Sequence, residues 1–135
     1  MTTIDQAAAL MREIAEPAPV GDSVKAAITR AARAISRFLP LTEPMSYGRA
    51  ENIWRREARR IDAAEMDAIR AAHERRDRAL RAELREATAL ADRLERLAAQ
   101  ARPADDPALD AEIRASARQA QRTARALRGL AGAGR

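Results

Sequence analysis

The chain has 135 residues, no cysteine, a single Phe, Trp and Tyr, and a formal net charge of +5. This composition excludes disulfides, thiolate catalysis and cysteine-based zinc sites. There is also no basic start or long apolar N-terminal run, and no stretch near the roughly 20 apolar residues that cross a bilayer, so we expect a cytoplasmic protein. Alanine, arginine, leucine and glutamate dominate, which predicts an all-α, elongated fold with a small core.

The first predicted segment, residues 1–22, is a short helix followed by a linker. Thr3 and Gln6 have the spacing of a capping box, and apolar residues recur at helical spacing as far as Ala15. This pattern predicts a helix over about 4–15. The two prolines that follow fix φ and remove donors, so they end the helix and stiffen the linker.

The second predicted segment, residues 23–72, begins with an amphipathic helix over 24–39. Its apolar residues form one stripe. The cations on the opposite face are Lys25, Arg30, Arg33 and Arg37. A loop with two prolines covers 40–45, and Ser46 is then a suitable N-cap for a third helix over 46–57.

The third predicted segment, residues 73–131, is a helical hairpin suited to oligomerisation. A long helix begins near Asp62 and continues to about 101, with small and apolar residues that step by three and four in a heptad-like seam. The seam is weakest over 70–79. Asp106, followed by a proline, starts a last helix that reaches about 130. Two helices joined by a few residues are expected to pack as an antiparallel hairpin.

The long helix is too long for its partner to cover. As helices, residues 62–101 would span roughly 60 Å and residues 107–130 roughly 35 Å. Unless the helix bends or breaks over 70–79, part of its seam must be buried against another chain. The sequence therefore predicts a homodimer.

Positive charge is concentrated in the middle of the chain. Residues 25–60 hold nine basic and three acidic residues, residues 1–24 hold one and four, and residues 61–100 hold eight and nine. A basic block beside a balanced helical region indicates a polyanion-binding module next to an assembly module. A GC-rich genome also raises the Arg and Ala content everywhere, so the total charge alone proves little.

The third helix carries the candidate recognition face. Arg49, Asn52 and Arg56 fall at i, i+3 and i+7, so on one helix they share a polar face while Ile53 and Trp54 turn toward a core. Arginine and asparagine are the side chains that pair bidentately with guanine and adenine edges. We therefore predict Arg49, Asn52 and Arg56 as base-reading residues.

Other residues near this helix are predicted to contact DNA phosphates, which sets position rather than sequence. They are Lys25, Ser46, Tyr47, Arg55, Arg59 and Arg60. The alternative is that the arginines form a solvated face paired with Glu51 and Glu57, as charge runs on helices usually do. For Trp54 the alternatives are a core anchor or a stacking partner for a base.

The middle segment also carries a family resemblance. The residues concerned are Tyr47, Arg49, Asn52, Ile53 and Trp54, followed by Ala58, Arg59, Arg60, Ile61 and Asp62. A similar Tyr-x-Arg-x-x-Asn-Ile-Trp stretch followed by Ala-Arg-Arg-Ile-Asp is found in small bacterial proteins. The segment 46–61 resembles the recognition helix and following helix of repressor-type helix-turn-helix proteins, the Cro and phage-repressor class, within residues 23–72 at most.

The resemblance implies a small helix-turn-helix-like domain whose helix enters the major groove, with dimers that span two half-sites. The chain departs from the family in the connection before that helix. A helix-turn-helix uses a tight turn of three or four residues, whereas the loop 40–45 is longer. Either the second helix breaks within 24–39 or the unit is a variant.

The sequence thus predicts a sequence-specific binder of double-stranded DNA, a bacterial or mobile-element transcriptional regulator that reads the major groove with helix 46–57 and dimerises or docks through its C-terminal helices. The alternative is a non-enzymatic coiled-coil scaffold, adaptor or inhibitor that binds another protein. Binding to a membrane surface is disfavoured because the apolar stripes consist largely of alanine. No catalytic arrangement emerges and His73 lacks a second metal-binding partner, so we expect neither an enzyme nor a metal or cofactor.

Overall fold

A computed structural model describes residues 1–100 and 105–133 of the chain, and these residues confirm the predicted all-α fold class. The helices are α1 (Thr3–Ala15), α2 (Val24–Ser36), α3 (Tyr47–Trp54), α4 (Ala63–Gln100) and α5 (Pro107–Ala133). None of the described helices is both long enough and apolar enough to span a membrane.

The chain divides into two compact units, which we call unit 1 (Met1–Arg78) and unit 2 (Ala79–Arg135). In unit 1, α1, α2 and α3 pack against one another and against the start of α4. The predicted segment 1–22 therefore shares one core with the predicted DNA-binding segment 23–72.

Side-chain caps set the helix starts in unit 1. Ser46 Oγ accepts a hydrogen bond from the Arg49 N–H at 3.2 Å, as predicted for the N-cap of α3. The capping box of α1 lies one residue earlier than predicted. The Thr2 hydroxyl accepts from the Asp5 N–H at 3.2 Å, and the Asp5 carboxylate accepts from the Thr2 N–H at 3.1 Å. Asp5 thus takes the reciprocal role that the sequence pattern gave to Gln6.

The core of unit 1 is small, and every one of its four helices contributes to it. Its largest fully buried side chains are Met11, Ile28, Ile35, Ile53 and Ile69. Between them lie alanines such as Ala7, Ala31 and Ala50, each 0% exposed, which let the helices approach closely. Full burial of one isoleucine stabilises a fold by roughly 1.5–3 kcal/mol, so these few side chains decide the stability of the unit.

Trp54 lies at the edge of this core and packs against it while partly buried. The Arg12 guanidinium of α1 lies 5.6 Å from the centroid of its ring, and Arg12 Nη2 donates to the Trp54 carbonyl at 2.9 Å. This cation–π contact and hydrogen bond hold the end of α3 against α1. Of the two roles considered for Trp54, the structure supports that of core anchor.

Arg30 joins α1, the linker and α2. Its Nη1 and Nη2 donate to the Asp22 carboxylate at 2.8 and 2.7 Å, and its Nε and Nη2 donate to the Ala15 carbonyl at 3.2 and 2.9 Å. The hydrogen bond from Arg30 holds the pKa of Asp22 below its usual value. This cation of α2 therefore braces the fold and is not free on the surface.

α4 continues without a break through residues 70–79, where the predicted seam is weakest. The start of the helix is held by burial, since Met66 and Ile69 lie in the core of unit 1. One turn later, His73 Nε2 lies 2.6 Å from Glu13 Oε2 of α1. These contacts replace the missing apolar seam at this point.

In unit 2, one groove is lined by α5 and by the later part of α4. Along this groove the residue numbers of α4 rise while those of α5 fall. Ala87 of α4 shares one part of the groove with Thr123 of α5, whereas Leu97 shares the adjoining part with Leu109. The two helices thus run antiparallel, as the hairpin prediction requires. The predicted break at Pro103 lies outside the described residues.

Candidate nucleic-acid interface

α3 is shorter than predicted because it ends in a Schellman motif. The N–H of Arg56 donates to the Ile53 carbonyl at 3.0 Å, and the next N–H donates to the Asn52 carbonyl at 2.8 Å. Arg56 has a φ of 64°, the left-handed conformation that glycine usually supplies at this position. The predicted helix over 46–57 is therefore wrong beyond Trp54.

Arg49 is engaged inside unit 1. Its Nε and Nη2 donate to the two carboxylate oxygens of Glu65 at 2.8 and 2.7 Å, and Nη2 also donates to the Arg60 carbonyl at 2.8 Å. The side chains of Arg49 and Glu65 are 30% and 18% exposed. This bidentate, partly buried geometry is the strong form of an ion pair, and it clamps the first turn of α3 to the first turn of α4.

Glu65 is the acceptor at the centre of this clamp. It also accepts the N–H of Asp62 at 3.0 Å, which satisfies a backbone donor at the start of α4. The hydrogen bond from Arg49 is the main reason why the pKa of Glu65 lies below its usual value. The guanidinium and the carboxylate therefore satisfy each other, and we assign Arg49 a positioning role in the fold in place of the predicted contact with a base.

The other two predicted base-reading residues do not share a helix face. Asn52 is exposed on α3, and its side chain has no hydrogen-bond partner among the described residues. Arg56 lies beyond the helix in the left-handed turn, and its Nε is 3.5 Å from Asp5 Oδ1 of α1. Of the three, Asn52 alone lies on α3 with no ionic or hydrogen-bond partner among the described residues, whereas Arg56 faces Asp5 from the turn beyond the helix.

Several predicted phosphate contacts are already occupied. The Ser46 hydroxyl caps α3. Arg55 Nη2 lies 3.0 Å from Glu51 Oε1, four residues earlier, which matches the alternative of an ion-paired helix surface at this position. Arg60 Nε lies 3.5 Å from Asp62 Oδ1 with both side chains largely exposed, a pair that contributes little to stability.

The remaining predicted phosphate contacts are free. Lys25 and Arg59 are exposed and have no ionic partner among the described residues. Tyr47, at the first position of α3, is 37% exposed, and its ring lines a shallow groove beside α2. These three side chains can all reach a ligand in solvent.

Two further free cations, Arg33 on α2 and Arg37 at the C-cap of α2, were not assigned a role from the sequence. Arg33 and Arg37 are exposed, and the described residues offer them no ionic partner. They follow Lys25 at intervals of eight and four residues, so all three lie on one side of the helix. We call Lys25, Arg33 and Arg37 the basic α2 face. The helical spacing was visible in the sequence, but it did not distinguish these cations from Arg30, which is paired.

A groove of 350 Å³ connects the basic α2 face with α3. Arg33 of α2 and Tyr47 of α3 both line it, together with Met45 from the loop between these helices. The lining is held in place by Ser36, whose hydroxyl accepts the Met45 N–H at 3.0 Å and donates to the Ala32 carbonyl at 2.7 Å. Arg33 and Tyr47 are thus neighbours across a fixed surface although they are far apart in sequence.

The connection between α2 and α3 is a loop over residues 37–46, and α2 itself is unbroken. The three- or four-residue turn of a helix-turn-helix is therefore absent between these two helices. No family model, curated protein or solved structure matches the chain. Among the described residues, no cluster of three or more His, Asp or Glu side chains is arranged to hold a metal ion.

Proposed function

We propose that the protein binds double-stranded DNA through unit 1, with the basic α2 face on the phosphates, and that it belongs to the class of proteins that regulate transcription. The observation that carries this proposal is the group Lys25, Arg33 and Arg37. All three are exposed on one side of α2 and its C-cap, and the part of the chain that the structure describes offers them no ionic partner. Most other cations of unit 1 are already paired with a carboxylate or a carbonyl within the fold.

Local charge supports a polyanion as the ligand. The sequence of α2 contains no acidic residue, and the nearest acid before it, Asp22, is neutralised by Arg30. By the helical rise, the side chains from Lys25 to Arg37 extend over roughly 18 Å. On B-DNA this distance spans several phosphates of one strand, which are spaced about 3.4 Å along the axis.

In this proposal α3 supplies the residue that reads the DNA sequence. Asn52 presents the amide that pairs with adenine N6 and N7, and Tyr47 lines the same groove as Arg33. The proposal therefore keeps Asn52 from the original base-reading group and replaces the arginines of α3 by those of α2. A selection of bound sequences from random duplexes, performed with wild type and with Asn52→Ala, tests this element separately.

The decisive experiment removes the basic α2 face. The variant Lys25→Ala/Arg33→Ala/Arg37→Ala is compared with wild type by fluorescence anisotropy on a labelled duplex at several salt concentrations. Since each phosphate contact adds about 0.9 to the slope of log affinity against log salt, we expect the slope to fall by about 2.7. At 0.1 M salt the affinity should fall by at least about tenfold.

A matched control removes the same charge elsewhere on unit 1. The variant Arg70→Ala/Arg75→Ala/Arg78→Ala also loses three exposed cations, all on α4. We expect its affinity to stay within about threefold of wild type, because only long-range attraction changes. Equal losses in both variants, or no binding by wild type at low salt, would overturn the proposal.

The second candidate function is that of a coiled-coil protein which binds another protein. One observation favours it, namely the exposure of large apolar side chains in unit 2. Leu90, Leu94 and Leu97 of α4 are 57%, 46% and 53% exposed. Exposed apolar rows of this kind mark interaction surfaces, and they are compatible with DNA binding by unit 1.

A further inference from the structure

The hairpin of unit 2 has a continuous apolar groove between its helices. The groove has two adjoining parts of 530 and 420 Å³, which share Leu94, Ser116 and Ala120. Its α4 wall carries Leu90, Leu94 and Leu97 together with two alanines. On its α5 wall the small residues are concentrated between Ala115 and Ala120, and larger apolar side chains, Leu109 and Ile113, lie at one end. Leucines thus run beside a central stretch of small residues, a surface into which a similar row of leucines can pack.

Charged residues lie along the α4 edge of this groove in a self-complementary order. Glu86 is four residues before Leu90, and Arg93 is four residues before Leu97, so each charge flanks one leucine on the same side of the helix. Both charged side chains are exposed and lack an ionic partner among the described residues. They are seven residues apart, which gives them the same position in consecutive heptads.

We propose that this groove is filled by the hairpin of a second copy of the chain, packed antiparallel. In that arrangement Glu86 faces Arg93 of the partner subunit, and Arg93 faces Glu86 of the partner subunit, so that the two-fold axis passes near Leu90. A parallel arrangement places Glu86 opposite Glu86 of the partner subunit and Arg93 opposite Arg93 of the partner subunit. Charge complementarity therefore favours a second copy of the chain as the occupant of the groove, and it favours the antiparallel over the parallel orientation.

The size of the groove indicates a weak dimer. Its lining extends from Ala87 to Leu97, roughly 15 Å along α4, and two adjacent helices are roughly 20 Å wide. The groove therefore covers roughly 300 Å² in projection, below the area of about 600 Å² that each partner buries in a stable specific interface. We expect a dimer that assembles at micromolar concentration. This inference does not depend on the proposed function of unit 1.

The test is sedimentation equilibrium of the full chain between 1 and 100 µM, with single and double charge reversals. Wild type should move from 14.8 kDa toward twice that mass. Glu86→Arg and Arg93→Glu each replace two attractive pairs by two repulsive ones, so each should weaken the dimer about tenfold or more. The double variant Glu86→Arg/Arg93→Glu restores opposite charges and should dimerise within about threefold of wild type.

Arg85→Glu is the matched control for Arg93→Glu. Arg85 is exposed and lies about 140° around α4 from Leu90, so its reversal should leave the dimer constant nearly unchanged. A monomer at 100 µM overturns the proposal. Single charge reversals that leave the dimer constant unchanged also overturn it, because they indicate a parallel arrangement or another interface. A double variant that does not recover the dimer constant of wild type overturns it as well.

Discussion

Arg49→Ala separates a structural arginine from a DNA-reading one. The substitution removes two hydrogen bonds to Glu65 and one to the Arg60 carbonyl. A hydrogen bond to a charged partner contributes about 1.5–3 kcal/mol when shielded and less when exposed. With Arg49 30% exposed and Glu65 18% exposed, we expect the free energy of unfolding to fall by about 2 kcal/mol. For a unit of this size the melting temperature should fall by about 10 °C.

The assay is thermal and urea unfolding followed by circular dichroism, with a double-mutant cycle. Glu65→Ala and the double variant complete the cycle, and we expect a coupling energy of about 1–2 kcal/mol. Arg59→Ala, which removes a free and exposed arginine, is the control and should change stability by less than about 0.5 kcal/mol. The reasoning is refuted if Arg49→Ala costs less than about 0.5 kcal/mol while lowering DNA affinity tenfold, because Arg49 would then contact DNA.

Three further predictions follow from unit 1. The pKa of Glu65 is lowered in the fold, so its stabilisation is present above the unfolded value near pH 4.3 and is lost as the pH falls through the lower folded value. Acid titration of unfolding should show this loss in wild type and not in Arg49→Ala. Arg56→Val should cost about 1–2 kcal/mol in urea unfolding, since a β-branched residue opposes a φ of 64°, whereas Arg56→Gly should be neutral within about 0.5 kcal/mol. Ile53→Ala should cost about 3 kcal/mol by the same measurement because its side chain is fully buried. The assignment of Glu65 would be contradicted if wild type and Arg49→Ala lost stability equally in acid. The assignments of Arg56 and Ile53 would be contradicted if Arg56→Val or Ile53→Ala kept the free energy of unfolding of wild type.

Local signals were sufficient to predict most of the fold. The apolar stripes, the Ser46 cap and the start of α5 at Pro107 all depend on residues within a few positions of one another, and the structure has each of them. The end of α3 carries no such signal. Its left-handed residue is Arg56, so the glycine that usually marks a helix end is missing. The reading face predicted for a helix over 46–57 therefore included a residue that lies outside the helix.

The candidate site depended on contacts that the sequence does not reveal. Arg49 and Arg33 look alike as helical arginines, yet Arg49 donates to Glu65 sixteen residues later, whereas Arg33 contacts no carboxylate within residues 1–100 and 105–133. Which cations remain free depends on how α3 and α4 pack together, a property of tertiary structure. Charge counting identified the basic region, and only the packing distinguished its structural arginines from its available ones.

The alanines buried in unit 1 also bear on how the gene can change. Every alanine codon becomes a valine codon by a single C-to-T transition, and at Ala7, Ala31 or Ala50, each 0% exposed, valine adds two carbon atoms where neighbouring helices already touch. Overpacking of this kind costs about 1–3 kcal/mol. Much of the interior is thus one common nucleotide change away from instability, so mutational drift in this unit should be concentrated on its surface while these positions stay alanine.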